Sequence, residues 1–208
     1  MPELETEEHV VVARTKPEDM LFDLPAIGMQ EQRAELRRTL TERCEKAADV
    51  INAHNNPSVS WCNLNDESKL LNRLIADSVE VCGSDSEEHK EAAFKGFANG
   101  DIRVIISKPR IAGFGLNWQH CSHMTFFPSH SYEQYYQAVR RCWRFGQKNP
   151  VKVDLITTEG LSGVLKNLTR KSEQANEMFD YLVKLMWDEM NIERTNEYTN
   201  KEELPSWL

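Results

Sequence analysis

The sequence predicts an α/β domain of three layers, with helices on both faces of a mainly parallel sheet. Five short apolar runs lie between residues 59 and 156, and three of the segments between them are long enough for a helix. Strands that alternate with helices pair in parallel through right-handed crossovers. The length of 208 residues and the hydrophobic content of 40% suffice to bury the core of such a domain.

The predicted elements follow from these patterns. The apolar runs predict strands at 59–62, 78–82, 103–107, 123–127 and 151–156. The segments between them predict crossover helices at 66–75, 86–98 and 132–145. Ligands of parallel α/β sheets bind outside the carboxyl ends of the strands, so we expect the functional loops to begin near Cys62, Gly83, Ser107 and Pro128.

Both ends of the chain predict extensions to this domain. Residues 29–53 carry apolar side chains at steps of three and four and predict one long amphipathic helix, which ends before Pro57. The segment before Pro25 predicts an irregular connector, because acidic residues and Pro17 interrupt any period. Residues 160–191 predict a further helix.

The net charge of −8 conceals a basic segment. The first 24 residues carry seven acidic and two basic side chains, and residues 173–203 carry nine acidic and three basic ones. Residues 137–152 contain five basic side chains and no acidic one. The overall charge therefore does not exclude nucleic acid as a partner.

The five cysteines form no CxxC pair, and their odd number indicates free thiols in a reducing compartment. His120, Cys121 and His123 cluster, but no second ligand pair stands at zinc-site spacing, so we expect no metal. No run approaches the roughly 20 apolar residues of a membrane helix, and the first residues do not resemble a secretion signal. We expect a cytoplasmic protein without a membrane partner.

No glycine is followed by lysine, so the chain lacks the Gly-Lys-Ser/Thr loop that binds nucleotide phosphates. Asp66 and Glu67 could bind a metal ion. Because they open a predicted helix, where acidic side chains cap the free N–H groups, capping is the favoured interpretation. We therefore expect that the chain alone does not hydrolyse nucleotides.

The predicted helix at 132–145 combines aromatic and basic side chains. Gln137, Arg141 and Arg144 are spaced i, i+4 and i+7 and share one face, with aromatic residues such as Trp143 on the other. An aromatic face is usually core, and paired arginines are often merely solvated. Here no acidic residue lies nearby in sequence, and two guanidinium groups so spaced suit a polyphosphate.

The segment 107–118 follows the most apolar predicted strand. Gly113 and Gly115 permit close approach of the backbone to a ligand, and Ser107, Lys108 and Asn117 supply polar groups. A glycine-rich turn without a ligand is an equally good interpretation of this segment by itself.

Three segments, CGSDSEEHKEAAFKGFANG, IRVIISKPRIAGFGLNWQHCSHMTFF and SYEQYYQAVRRCWRFGQKNPVKVDLI, together resemble the second RecA-like lobe of the Swi/Snf-like helicases of superfamily two. Residues 137–147 resemble motif VI of that family, and GFGLNW resembles motif V. The resemblance covers residues 57–171, so 1–56 and 172–208 become an N-terminal and a C-terminal extension. The compact helicases of phages and prophages are the most similar members, and they share the terminal Pro-x-Trp-Leu pattern.

The resemblance implies an ATP-driven motor on duplex DNA, located in the cytoplasm of a bacterium or phage-infected host. A first RecA-like lobe would hold most of the ATP and Mg²⁺. Motif VI would supply Gln137 and the arginine fingers Arg141 and Arg144. The remaining roles fall on two groups: Gly113, Gly115 and Asn117 would couple ATP to DNA, and Asn63, Gly83, Ser84, Ser107 and Lys108 would contact the nucleic acid.

Some positions depart from the family pattern. His89 replaces a common arginine, Ala112 replaces a common glycine, and residues 128–130 lack the Trp-Asn-Pro turn of chromatin remodellers. These departures favour a simpler phage or bacterial role. An autonomous nucleic-acid or protein-binding module with the same fold is the alternative. A dehydrogenase or transferase would need a GxGxxG motif, which the chain lacks.

Overall fold

The computed structural model describes residues 1–14, 26, 28–111 and 116–197, with the backbone alone over 188–197. The strands are β1 (Leu4–Val11), β2 (Ser58–Trp61), β3 (Ser78–Val81), β4 (Val104–Ser107), β5 (His123–Phe126) and β6 (Val151–Thr158). The helices are α1 (Met29–Arg38), α2 (Leu40–Asn52), α3 (Asn65–Leu74), α4 (Glu87–Asn99), α5 (Tyr132–Val139) and α6 (Ser162–Glu197).

The six strands form one sheet in the order β1-β6-β5-β2-β4-β3, and every neighbouring pair is parallel. Successive residues of a strand face opposite sides, and in β4 Ile105 packs with Phe97 of α4 and Val139 of α5. Ile106 packs on the other side with α2 and α3. This arrangement confirms the predicted three-layer α/β fold.

The predicted connector before Pro25 is wrong for residues 4–11, which form the edge strand β1. It pairs with β6 over eight residues, from Leu4 opposite Val151 to Val11 opposite Thr158. An edge strand has one solvent side and tolerates charged side chains. The acidic residues, which interrupt the apolar pattern expected of a strand, are exposed, whereas Leu4 and Val11 are partly buried.

A buried carboxylate links β1 to the centre of the sheet. Asp154 of β6 is fully buried and accepts hydrogen bonds from His9 Nε2 of β1 at 2.7 Å and His123 Nε2 of β5 at 2.8 Å. His123 Nδ1 lies 2.9 Å from the hydroxyl of Ser58 in β2. Burial alone would raise the pKa of Asp154, but these hydrogen bonds outweigh it and lower the pKa to about 2.

The low pKa predicts a loss of stability in acid. An unfolded aspartate titrates near pH ~3.9, so Asp154 stabilises the fold above that pH, and the contribution disappears as the pH falls to about 2. We expect Asp154→Asn to lower the free energy of unfolding by roughly 2 kcal/mol at pH ~5 and by much less at pH ~2. Urea unfolding at both pH values measures the difference, and a difference independent of pH would contradict the assignment.

The single long helix predicted over 29–53 is two helices that meet at Thr39. The Thr39 hydroxyl donates to the Glu35 carbonyl at 2.8 Å, a bond that bends helices. The Arg43 guanidinium donates a hydrogen bond to the Leu36 carbonyl at 2.6 Å and so competes with the backbone N–H that would bond to this carbonyl in a continuous helix. Side chains that fold back onto the backbone therefore divide the amphipathic stretch.

The chain forms two compact units, residues 1–168 and 169–208. The predicted helix over 160–191 is present as a short 3₁₀ turn, Glu159–Leu161, followed by α6, which crosses the boundary between the units. Within the second unit most of the described apolar side chains, among them Phe179 and Met186, are exposed, and Val183 is half-buried. None of the helices described is both long enough and apolar enough to span a bilayer. The Pro-x-Trp-Leu pattern lies outside the described residues.

Candidate functional site

The carboxyl ends of β2, β3 and β4 meet at one edge of the sheet, as in all parallel sheets. Trp61, Val81 and Ser107 are the last residues of these strands and pair in register. Asn63, Gly83, Ser84 and Lys108 follow them directly. Four of the five predicted nucleic-acid contacts therefore lie in loops at this edge.

Glu67 fixes the loop that carries Asn63. One carboxylate oxygen accepts the backbone N–H groups of Asn63 at 2.8 Å and Leu64 at 2.9 Å, which caps α3. The other accepts a hydrogen bond from the Arg43 guanidinium at 2.6 Å, and both side chains are fully buried. The capping interpretation of Asp66-Glu67 is therefore confirmed for Glu67.

Ser107 does not lie on the surface. Its side chain is fully buried and donates to the Val81 carbonyl at 3.1 Å, so it holds β4 to β3. Lys108 next to it lines a depression of about 260 Å³ together with Asn63 and Arg110. Its ammonium group donates to the side-chain carbonyl of Asn65 at 2.5 Å.

The helix predicted over 132–145 is shorter than expected. It ends at Val139, after which the N–H groups of Arg141 and Cys142 bond to carbonyls three residues back, and the carbonyl of Arg141 accepts the N–H of Trp118 at 3.0 Å. The chain then turns through 140–146, and Gly146 adopts φ of 95°. The helical spacing of Arg141 and Arg144 is therefore wrong as a description, and the turn sets their positions.

The turn nevertheless brings the motif VI residues together. Gln137, Arg141 and Arg144 line one depression of about 400 Å³. Gln137 and Arg141 also line a neighbouring depression of about 330 Å³, which contains Arg110. Because Arg110 also lines the depression beside Asn63, the three depressions follow one another from the strand edge to the arginines, and we call them together the groove.

Arg141 has an unusual environment for a cation. The residue is only 8% exposed, and no hydrogen bond or ion pair to its guanidinium occurs among the residues the structure describes. Burial, followed by the nearby Arg144 guanidinium, lowers the pKa of Arg141 below its ordinary value. A buried, unpaired cation is unfavourable unless a ligand supplies the missing negative charge.

Arg140 contrasts with these two arginines. Its guanidinium lies 5.4 Å above the ring of Tyr136 and 5.3 Å above that of Trp143, and it therefore already makes cation–π contacts with two aromatic rings. The predicted aromatic core face is only partly correct. Tyr135 is buried, whereas Tyr136 is exposed and Trp143 is half-buried, with its indole N–H donating to the Pro2 carbonyl at 2.8 Å.

The motif V residues are divided. Asn117 is exposed and lines a depression beside α4 that does not include Arg141 in its lining. Gly113, Gly115 and Ala112 lie outside the described residues.

Sequence analysis missed Arg110, which joins the two ends of the groove. Its position two residues after Lys108 was the available signal, but only the fold brings it beside Gln137.

The parallel sheet, its flanking helices and the loops at its carboxyl edge define a RecA-like domain of the helicase class. Residues 38–146, just over half of the chain, match the family described as the helicase conserved C-terminal domain. The chain belongs to this family.

Curated relatives and solved structures agree with this assignment. The chain is 32% identical over 106 residues to the bifunctional helicase and thymine dioxygenase JBP2 of Leishmania infantum and, equally, of Leishmania braziliensis. The match covers 50% of the chain but only 10% of each relative.

Two solved structures share the fold at low sequence identity. The C-terminal part of the Fun30 ATPase domain superposes with a TM-score of 0.54 at 15% identity, covering 64% of this chain and 46% of that one. The RNA helicase Prp28 from Chaetomium thermophilum, bound to ADP, gives 0.56 at 16% identity, covering 84% and 37%. The chain thus shares the fold of these two proteins, in agreement with the helicase conserved C-terminal domain that its sequence matches.

Proposed function

We propose that the chain is the second motor lobe of an ATP-dependent DNA helicase or translocase of the Swi/Snf-like group, of phage or bacterial type. The observation that carries this proposal is that Arg141, next to Arg144, is buried and its guanidinium has no hydrogen-bond or ion-pair partner among the residues that the structure describes. The γ-phosphate of ATP is the anion that these two groups would bind. A first RecA-like lobe would complete the cleft.

In this mechanism Arg141 and Arg144 bind the transferred phosphoryl group and stabilise the charge that develops on it. Gln137, which lines the same depression, orients the phosphate or the attacking water. Glu133 is the one acidic residue among the described residues that line the two arginine depressions. Mg²⁺, which neutralises phosphate charge when bound, would therefore be held mainly by the first lobe.

The nucleic acid would lie along the carboxyl edge of the sheet. Lys108 and Arg110 supply cations there, Asn63 supplies an amide, and the exposed Gly83 and Ser84 supply backbone N–H groups. Cationic side chains and backbone N–H groups are frequent donors to phosphate oxygens. We therefore propose duplex DNA as a partner bound without sequence preference.

The direct test measures ATP hydrolysis by the chain alone and with the first RecA-like lobe encoded beside it, with and without duplex DNA. We expect no turnover by the chain alone, and DNA-stimulated turnover by the pair. Turnover by the chain alone would contradict the proposal. A pair that binds DNA but never hydrolyses ATP would favour the autonomous binding module.

DNA binding by the isolated chain should be weak and sensitive to salt. With three or four phosphate contacts, the logarithm of the affinity should fall with that of the salt concentration with a slope of about −3. Fluorescence anisotropy with a labelled duplex measures this slope. We expect Lys108→Ala to reduce it by about one contact, and tight binding that persists at high salt would contradict the proposed interface.

A further inference from the structure

Phe145 follows Arg144 and is the most exposed large apolar residue described, at 89% exposure. Exposing a phenylalanine is unfavourable unless a ligand or partner covers it. The residue lies in the predicted motif VI segment, but none of the roles assigned above uses it.

The backbone holds Phe145 outwards. Gln119 donates its side-chain amide to the Phe145 carbonyl at 2.5 Å, and a Cβ on Gly146 would lie 2.8 Å from the same amide nitrogen. Gln147 is buried and donates to the carbonyls of Cys121 at 2.9 Å and Cys142 at 3.3 Å. The turn is therefore anchored on both sides of Phe145, and its ring has no route into the core.

Phe145 shares the depression of about 400 Å³ with Arg141, Arg144 and the half-buried Leu116. A purely apolar partner surface would leave these guanidinium groups desolvated and unpaired. A ligand that carries both a flat π-face and a polyphosphate can contact the ring of Phe145 and pair with both guanidinium groups at the same time. Nucleoside triphosphates have this combination.

We propose that Phe145 stacks on the base of the nucleotide whose phosphates Arg141 and Arg144 bind. This inference rests on the proposed function, because it assumes that these arginines hold phosphate. Stacking on an aromatic ring is tolerant of base identity. Phe145 therefore adds affinity for the nucleoside end and discriminates little between purines.

The test compares MgATP with magnesium tripolyphosphate, which lacks the base, by NMR titration of the chain up to millimolar ligand. We expect the wild type to bind ATP more tightly than tripolyphosphate. Phe145→Ala should weaken ATP binding by about 5- to 100-fold and leave tripolyphosphate unchanged. Phe145→Trp should retain the preference, and Phe145→Leu should lose most of it.

The outcomes separate this inference from the proposed function. Wild-type binding of both ligands with equal affinity, or Phe145→Leu as effective as the wild type, would overturn base stacking and leave the phosphate site intact. Binding of neither ligand, or binding unaffected by Arg144→Ala, would overturn the inference, whereas the hydrolysis assay with the first lobe decides the proposed function. Weakening of both ligands by Phe145→Ala would also overturn the inference. Met29→Ala, at an exposed apolar residue that lines neither arginine depression, is the matched control and should change nothing.

Discussion

Arg144→Ala is expected to reduce DNA-stimulated ATP hydrolysis by the two-lobed motor by about a thousandfold, the usual effect of losing an arginine finger. The loss should appear as a lower turnover number, because the charge that Arg144 stabilises develops only in the transition state. Arg144→Lys should rescue poorly, since lysine keeps the charge but loses the planar fork that binds two oxygens. Steady-state kinetics with saturating DNA measures the effect.

Replacing Arg141 should abolish activity as Arg144→Ala does, but it should not destabilise the fold. Because its guanidinium is nearly buried and unpaired, Arg141→Met removes an unfavourable charge and fills the space with an apolar side chain. We expect the free energy of unfolding to stay the same or to rise by about 1 kcal/mol while activity disappears. Such a gain in stability is typical of functional sites.

Arg73→Ala is the control, since this arginine of α3 is exposed and its side chain donates to the Lys69 carbonyl on its own helix. Both its turnover and its unfolding should match the wild type. If Arg141→Met or Arg144→Ala unfolded the domain and the folded fraction still turned over ATP, the finger assignment would be wrong.

Glu67→Gln is expected to destabilise the fold by about 3–5 kcal/mol, because it leaves the fully buried Arg43 guanidinium without its carboxylate. The ring of Phe127, 4.9 Å from that guanidinium, cannot replace a full negative charge. A loss of this size is a large fraction of a typical domain stability. Urea unfolding followed by circular dichroism measures it.

The double variant Arg43→Met with Glu67→Gln tests whether the pair or each residue matters. Once the cation is gone, a neutral partner leaves no buried charge, so the double variant should be more stable than Glu67→Gln alone. Arg14→Ala is the matched control, because Arg14 pairs with Glu45 on the surface and should contribute less than about 1 kcal/mol. Equal losses from Glu67→Gln and Arg14→Ala would show that the buried pair is not what holds α3.

Strands β2 to β5 could be predicted because short apolar runs between helical stretches are visible in the sequence alone. Val104, Ile105 and Ile106 form a continuous apolar run, and such runs occupy the middle of parallel sheets. The predicted strand positions at 59–62, 78–82, 103–107 and 123–127 agree with β2 to β5 within one residue at each end. The alternation with helices then left few topologies.

The edge strand β1 was missed because three of its eight residues are exposed glutamates, whereas the other edge strand, β3, has valine at alternate positions and was predicted. Its partner, β6, lies more than 140 residues away in the chain, so no local period reveals the pairing. The break at Thr39 and the early end of α5 were missed for a related reason. In both cases a distant or folded-back group takes a carbonyl that helical periodicity assigns to the ladder.

The sequence by itself determined the α/β class and the positions of strands β2 to β5, because apolar periodicity depends only on neighbouring residues. Only the tertiary structure decided that Arg141 is buried with no counter-ion among the described residues, that Arg110 lines two neighbouring depressions, and that Ser107 is interior. Burial and pairing are properties of groups brought together from distant parts of the chain. The electrostatic environment that makes Arg141 a candidate finger therefore exists only in the folded domain.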